Sequence, residues 1–231
     1  ICKLLHPLRI VPSPKIHTMP NLDRVMGYLD ASSNQLLTID IETRREDRTL
    51  SCIGFKLPDT PAIVVPIYDY RGELAYDKTR LLQFFRSLIL AMHRNVLVLH
   101  NAMFDLLVLA SKYRCSFGHR IFDTMLMTHR VFPEIEKSLG HSIRLWLNHP
   151  WHKDENIETP KNRQQQAQHW NYNGLDVLRT EELYYALQEV GQCYPLLGAS
   201  MCSSCASIYP YALATLRGMA IDLPELTKQR M

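Results

Sequence analysis

Three short segments of this 231-residue chain carry four carboxylates and a tyrosine at spacings suited to metal chemistry. They are Leu37-Thr38-Ile39-Asp40-Ile41-Glu42-Thr43, His100-Asn101-Ala102-Met103-Phe104-Asp105 and Tyr172-Asn173-Gly174-Leu175-Asp176. Asp40 and Glu42 stand two apart, so on a strand both side chains point to one face. Two acids at the end of an apolar strand are unfavourable without a cation, unless that end simply lies in water. Asp105 follows the apolar run Val96-Leu97-Val98-Leu99, where a turn into a helix delivers residues to the C-terminal edge of a sheet. A solvated acid favoured by the dipole of its own helix would read the same way. Tyr172 and Asp176 are four apart and share one helical face, as a half-buried tyrosine and a surface acid also would. Each motif alone is short and common. Together, Asp40, Glu42, Asp105 and Asp176 form a cluster that hard divalent cations would stabilise, and two such cations are the usual apparatus for cutting a phosphodiester bond.

The elements that must position these residues follow from the pattern of apolar residues and breakers. Residues 1–33, with Pro7, Pro12, Pro14 and Pro20, read as a lead-in that turns helical from Asn21 to Leu29. Strands are expected at Leu36–Ile41, Leu50–Leu57 and Ala62–Tyr68, close enough in sequence to form an antiparallel meander. Helical spacing runs from Asp77 to His93, followed by the compact strand Val96–Leu99. A helix over 103–113, a short strand Arg120–Phe122 and a helix capped by Asp123 come next. Further helices are expected at 138–147 and from Arg163 to Val190, with the polar stretch Asn148–Asn162 as a loop between them. The sum is an α/β domain with a mixed sheet flanked by helices.

Composition narrows the setting. Hydrophobic residues make up 46% and charged residues 21%, which excludes a disordered chain, and no run of about 18 apolar residues predicts a membrane helix. The net charge of +3 neither demands nor opposes a nucleic-acid partner. If the acids gather around metal, the remaining surface is more basic than that average. The six cysteines (2, 52, 115, 193, 202 and 205) have no framework spacing and fit a reducing compartment inside a cell. Cys202 and Cys205 form a lone C-x-x-C read as ordinary packing. With Ile1 first and Met231 last, the sequence reads as an excerpt of a longer chain.

In the order and placement of its three motifs the chain resembles the DEDD superfamily of 3′–5′ exonucleases, whose members share an RNase H-like fold. Asp40 and Glu42 match its first motif, Asp105 its second, and Tyr172 with Asp176 its third. The histidine subclass has its histidine five residues before the last aspartate. Asn171 stands there, Tyr172 is four before and His169 is seven before, so the resemblance is to the tyrosine subclass. A closer resemblance is to the proofreading domain of family A, DNA polymerase I-like, phage-type polymerases. It lies in His100–Asp105, Phe122-Asp123-Thr124-Met125, Phe132-Pro133-Glu134, Tyr172–Asp176 and the stretch from Ile208-Tyr209-Pro210 to Leu216-Arg217-Gly218-Met219-Ala220-Ile221-Asp222. The likeness covers roughly residues 34–225 and implies an RNase H-like domain with a five-stranded mixed sheet. It places an exonuclease domain at 34–192 and the start of a connection to a polymerase domain at 193–231.

The resemblance also implies a cofactor, two Mg²⁺ or Mn²⁺ ions. Asp40 would bridge them, Glu42 and Asp176 would complete the first site, and Asp105 would serve the second. Tyr172 would orient the attacking water, and the product would be a nucleoside 5′-monophosphate. Thr43 and Asn101 match positions that touch the terminal nucleotide. Phe104 reads first as a core residue, with a stacking surface for a base as its other role. The implied partners are a single-stranded or frayed DNA 3′ end and a polymerase domain in the same chain, with no membrane. The run Arg44-Arg45-Glu46-Asp47-Arg48 departs from the small, glycine-containing turn often found there; it reads as a phosphate grip or a solvated charge run. Asp123 reads as a helix cap rather than a further ligand. His149 and His152 flank Trp151 without completing a zinc site, and Trp146 and Trp151 read as packing for the loop. Two other functions fit the same motifs: a stand-alone RNA-trimming exonuclease of the RNase D type, and a catalytically silent RNase H-like scaffold that only binds.

Overall fold

A computed structural model describes residues 15–45, 47–149 and 160–218. At its centre the antiparallel meander is as expected. Strand β2 (Leu36–Thr43) pairs with β3 (Leu50–Lys56), and β3 with β4 (Ala62–Pro66). On its other side β2 runs parallel to β5 (Val96–Leu99), which runs parallel to β6 (Ile121–Asp123). β3, β4 and β5 are buried almost throughout, which is why β4 and β5 read as continuous apolar runs rather than alternating ones.

The sheet has six strands rather than five, in the order β1-β4-β3-β2-β5-β6. The extra strand, β1 (Ile16–Thr18), lies in the stretch read as a lead-in and pairs parallel with β4. Three residues beside prolines carry no periodic signal. Their pairing comes from the open edge of β4 and from Gly174, where an added Cβ would lie 2.5 Å from Ile16 Cγ2.

Helices cover both faces. Phe84 of α2 (Lys78–Arg94) packs its ring against Phe55, 6.4 Å between centroids, so α2 covers the face that carries Ile39, Ile41, Ile53 and Phe55. α1 (Leu22–Ala31) packs beside α2, and Asn95 joins the two: its amide donates to Ser32 Oγ and the Ala91 carbonyl, while its oxygen accepts from Gln35 N–H. Asn21 and Asp77 cap the N-termini of α1 and α2. Over the opposite face lies α6 (Arg163–Cys193), in contact with β1 to β5. A half-buried ion pair anchors it, Lys56 Nζ standing 2.9 Å from Glu181.

α3 (Ala102–Tyr113), α4 (Thr124–Val131) and α5 (Leu139–Leu147) fill the second half. Two more helices follow α6: α7 (Pro195–Ala206) packs on α4, α6 and β6, and α8 (Ile208–Arg217) packs on α3 before ending at Gly218, φ +69°. Cys205, inside α7, receives a hydrogen bond from the Asp123 backbone N–H. Among the described residues no helix is long and apolar enough to cross a membrane. Cys2, Glu46, Trp151, His152 and the stretch from Met219 to Asp222 lie outside the described residues.

Candidate active site

Alternation along β2 sends Asp40 and Glu42 to the face covered by α6. Opposite them on β3 stand Gly54 and Cys52. Gly54 matters for its missing side chain, because a Cβ there would lie 2.3 Å from Asn173 Oδ1 and 2.8 Å from Val177 Cγ2. The bare backbone lets α6 settle close to β3. That approach carries Asp176 to the end of β2, where one carboxylate oxygen each from Asp40, Glu42 and Asp176 lie within 4.8 Å of one another. Among the described residues it is the only such group of three or more His, Cys, Asp or Glu side chains.

Asp105 arrives differently. α3 begins after Asn101, whose left-handed backbone (φ 65°) turns the chain sharply from β5. In the first turn of α3, Asp105 is 3% exposed and accepts the Ile41 N–H at 3.0 Å, so it grips β2 between the two acids of the first motif. It is not one of the three clustered carboxylates, although its charge acts on Asp40. Two neighbours hold the turn. Asp123 accepts N–H groups from Asn101, Ala102 and Met125 at 3.0, 2.9 and 2.8 Å, so one buried carboxylate secures the starts of both α3 and α4. This is the cap read from the sequence, serving one helix more than expected. His100 bridges Thr124 Oγ1 (2.8 Å) and the Lys137 carbonyl (2.9 Å).

Burial, then the charges of Asp105, Asp176 and Glu42, push Asp40 well above the usual carboxylate range, against the pull of a hydrogen bond from Asn173. Asp105 is pushed up to about 8, chiefly by burial, with the Ile41 N–H opposing. Burial first, and then Asp176, Glu42 and Asp40, raise the Tyr172 hydroxyl far beyond its ordinary value, and it hydrogen-bonds to Asp176 as a neutral donor. Three converging carboxylate oxygens are the donor set of a hard divalent cation, and they fit one.

The expected substrate residues differ in exposure. Thr43 is half-buried just past a bulge that ends β2, and Asn101 is exposed. Phe104 is 38% exposed, which removes its core reading. Arg44 lies against the turn at Gly72 (3.2 Å from Nη1 to the site of an added Cβ), and Arg45 is exposed. Farther away, His149 faces Glu182 at 3.4 Å beside Arg179, and Trp146 packs against Phe132. Asn173 and Gly54 were not singled out from sequence. Asn173 stands three residues before Asp176, a spacing that already puts both on one helical face; Gly54 left no signal.

No family model and no curated protein matches the chain. Solved structures do. The Aedes aegypti Nibbler EXO domain has a TM-score of 0.59 at 13% identity, over 85% of this chain and 100% of that one. Brucella melitensis NrnC with bound Mg²⁺ has 0.58 at 16%, over 90% and 96%. A mutant catalytic core of RRP6 from Trypanosoma brucei has 0.63 at 13%, over 87% and 54%. Identities this low speak to the path of the backbone alone, and with the six-stranded mixed sheet they make the fold RNase H-like.

Proposed function

We propose that this chain is a metal-dependent 3′–5′ exonuclease. Its work is to remove nucleotides from single-stranded or frayed DNA 3′ ends, as the proofreading domain of a family A polymerase. The observation that carries the reading is the convergence of Asp40, Glu42 and Asp176 within 4.8 Å, with Asp105 hydrogen-bonded to the strand between the first two. Asp40, Glu42 and Asp176 would hold one divalent ion, Mg²⁺ or Mn²⁺, and Asp40 with Asp105 a second. When bound, such ions make water a nucleophile at neutral pH and stabilise the leaving 3′-oxygen.

The chain supplies the rest. Tyr172 keeps its proton throughout and orients the attacking water by turning its single O–H from Asp176 to that water, since a phenol this strongly raised is no base. Phe104, Asn101 and Thr43 form the platform for the terminal nucleotide. Stacking and backbone contacts choose a melted end without reading its sequence. The polymerase context is supported by the segments around Phe122, Phe132 and Ile208 that resemble that family. The same fold neighbours fit a second reading equally, a stand-alone exonuclease of the RNase D type: Brucella NrnC and the Nibbler EXO domain share this backbone path.

The test is release of mononucleotides from 3′-labelled single strands with Mg²⁺, comparing the chain with Asp40→Ala/Glu42→Ala. We expect release by the first only. No metal-dependent release from the folded chain would sink the enzyme and leave the binding scaffold. Faster release from RNA than from DNA ends would transfer the proposal to the second reading.

A further inference from the structure

Asn173 is 0% exposed, and its amide nitrogen reaches Asp40 twice, 2.7 Å from Oδ2 and 3.4 Å from the backbone oxygen. When ionised to hold a cation, the Asp40 carboxylate only accepts, so the nitrogen is the end that faces it. The amide oxygen is then turned toward bare Gly54 and has no hydrogen-bond partner among the described residues. An apolar side chain here would remove that unsatisfied oxygen but would also strip the Asp40 carboxylate of its donor. The asparagine therefore acts through Asp40 rather than through its own burial. Its one strong bond goes to the most central of the clustered acids.

We propose that Asn173 is a positioning residue for Asp40. It fixes the rotation of the Asp40 carboxylate so that the remaining acceptor positions stay turned toward Glu42 and Asp176, which sets the affinity of the divalent site. Gly54 belongs to the same device, because any side chain there would displace the amide. The inference rests on the metal-dependent nuclease reading. Partners that orient a ligating carboxylate typically contribute about 10–100-fold to metal affinity or activity.

The experiment compares wild type, Asn173→Leu, Gly54→Ala and Gly54→Ala/Asn173→Leu. Mn²⁺ binding is read by calorimetry, and kcat and KM on a 3′-labelled single strand are read across Mg²⁺ concentrations. Asn173→Leu is expected to weaken Mn²⁺ binding about tenfold or more and to lower kcat by a similar factor, with KM for the strand unchanged. Gly54→Ala is expected to do likewise, and the double variant to lose less than the product of the two single losses. A purely structural role would lower the melting temperature and leave Mn²⁺ affinity per folded molecule alone. Wild-type Mn²⁺ affinity in folded Asn173→Leu overturns the inference, and if that variant does not fold, Gly54→Ala decides in its place. A wild-type chain that neither binds Mn²⁺ nor cuts sinks the nuclease reading and this inference together. If it does both while the variants match it, the inference alone is overturned.

Discussion

Ile39 and Ile41 face α2 from β2, while Asp40 and Glu42, one residue along, face α6. Across the strand pair the same contrast recurs: Phe55 and Ile53 on the first face, Gly54 and Cys52 on the second. The α2 face is a close-packed apolar layer whose members stabilise one another by burial. On the α6 face burial and the neighbouring acids hold the Asp40 carboxyl well above its ordinary range, and the neighbouring position is a glycine that leaves room rather than filling it. One strand thus serves two purposes, and its period of two keeps them apart. A site can be internally unfavourable only because the layer behind it supplies the stability.

The sharpest way to break the comparison is one substitution on each face. Asp176→Asn is expected to lower turnover by on the order of 1,000-fold, the several kcal/mol that a held divalent ion supplies, while the metal-free melting temperature holds or rises. Phe55→Ala is expected to do the reverse, losing about 3–5 kcal/mol of stability and keeping turnover per folded molecule within about twofold. If both variants lost stability and activity in parallel, the two faces would not be separable. A smaller effect is expected of Tyr172→Phe, which removes a donor but no ligand: kcat should fall roughly tenfold with metal affinity unchanged, since full acid–base roles contribute about 100-fold or more. Weakened metal binding in that variant would make the hydroxyl part of the metal site.

The pH dependence gives the most graded comparison. Asp105 is raised to about 8 and Asp40 is also raised, so the metal-free folded chain holds protons that the unfolded chain has released. That stability is fully present below about pH 4, where unfolded aspartates are still protonated, and it is lost as pH rises through about 8. Melting temperature measured with a chelator should therefore fall across that window, and excess Mg²⁺ should abolish the fall. Phe55→Ala should shift the curve down without changing its slope. A flat metal-free curve would show that the acid face carries no strain.

Much of the fold was legible because it is written in local patterns. The alternation in β2, the buried runs of β4 and β5, and the caps at Asn21, Asp77 and Asp123 each depend on a few neighbouring residues. Five of the candidate site residues, Asp40, Glu42, Asp105, Tyr172 and Asp176, were named by residue type, spacing and order. What was missed has no local signature. β1 is three residues long and exists because β4 offers an edge, and α7 has almost no periodic apolar stripe. The core reading for Phe104 failed because only packing tells the exposed first turn of a helix from its buried side.

By itself, then, the sequence determined the central strands, most of the helices and which residue types could hold a cation, since alternation, helical spacing and capping act over a few bonds. Tertiary structure alone decided which carboxylates meet. Asp40, Glu42 and Asp176 converge while Asp105 reaches β2 through the Ile41 N–H, and Asn173 lies on Asp40 across a bare glycine. Those are contacts between segments far apart in the chain, set by how closely α6 can approach the sheet. That distance depends on the summed volumes of both surfaces, which no single stretch of sequence contains.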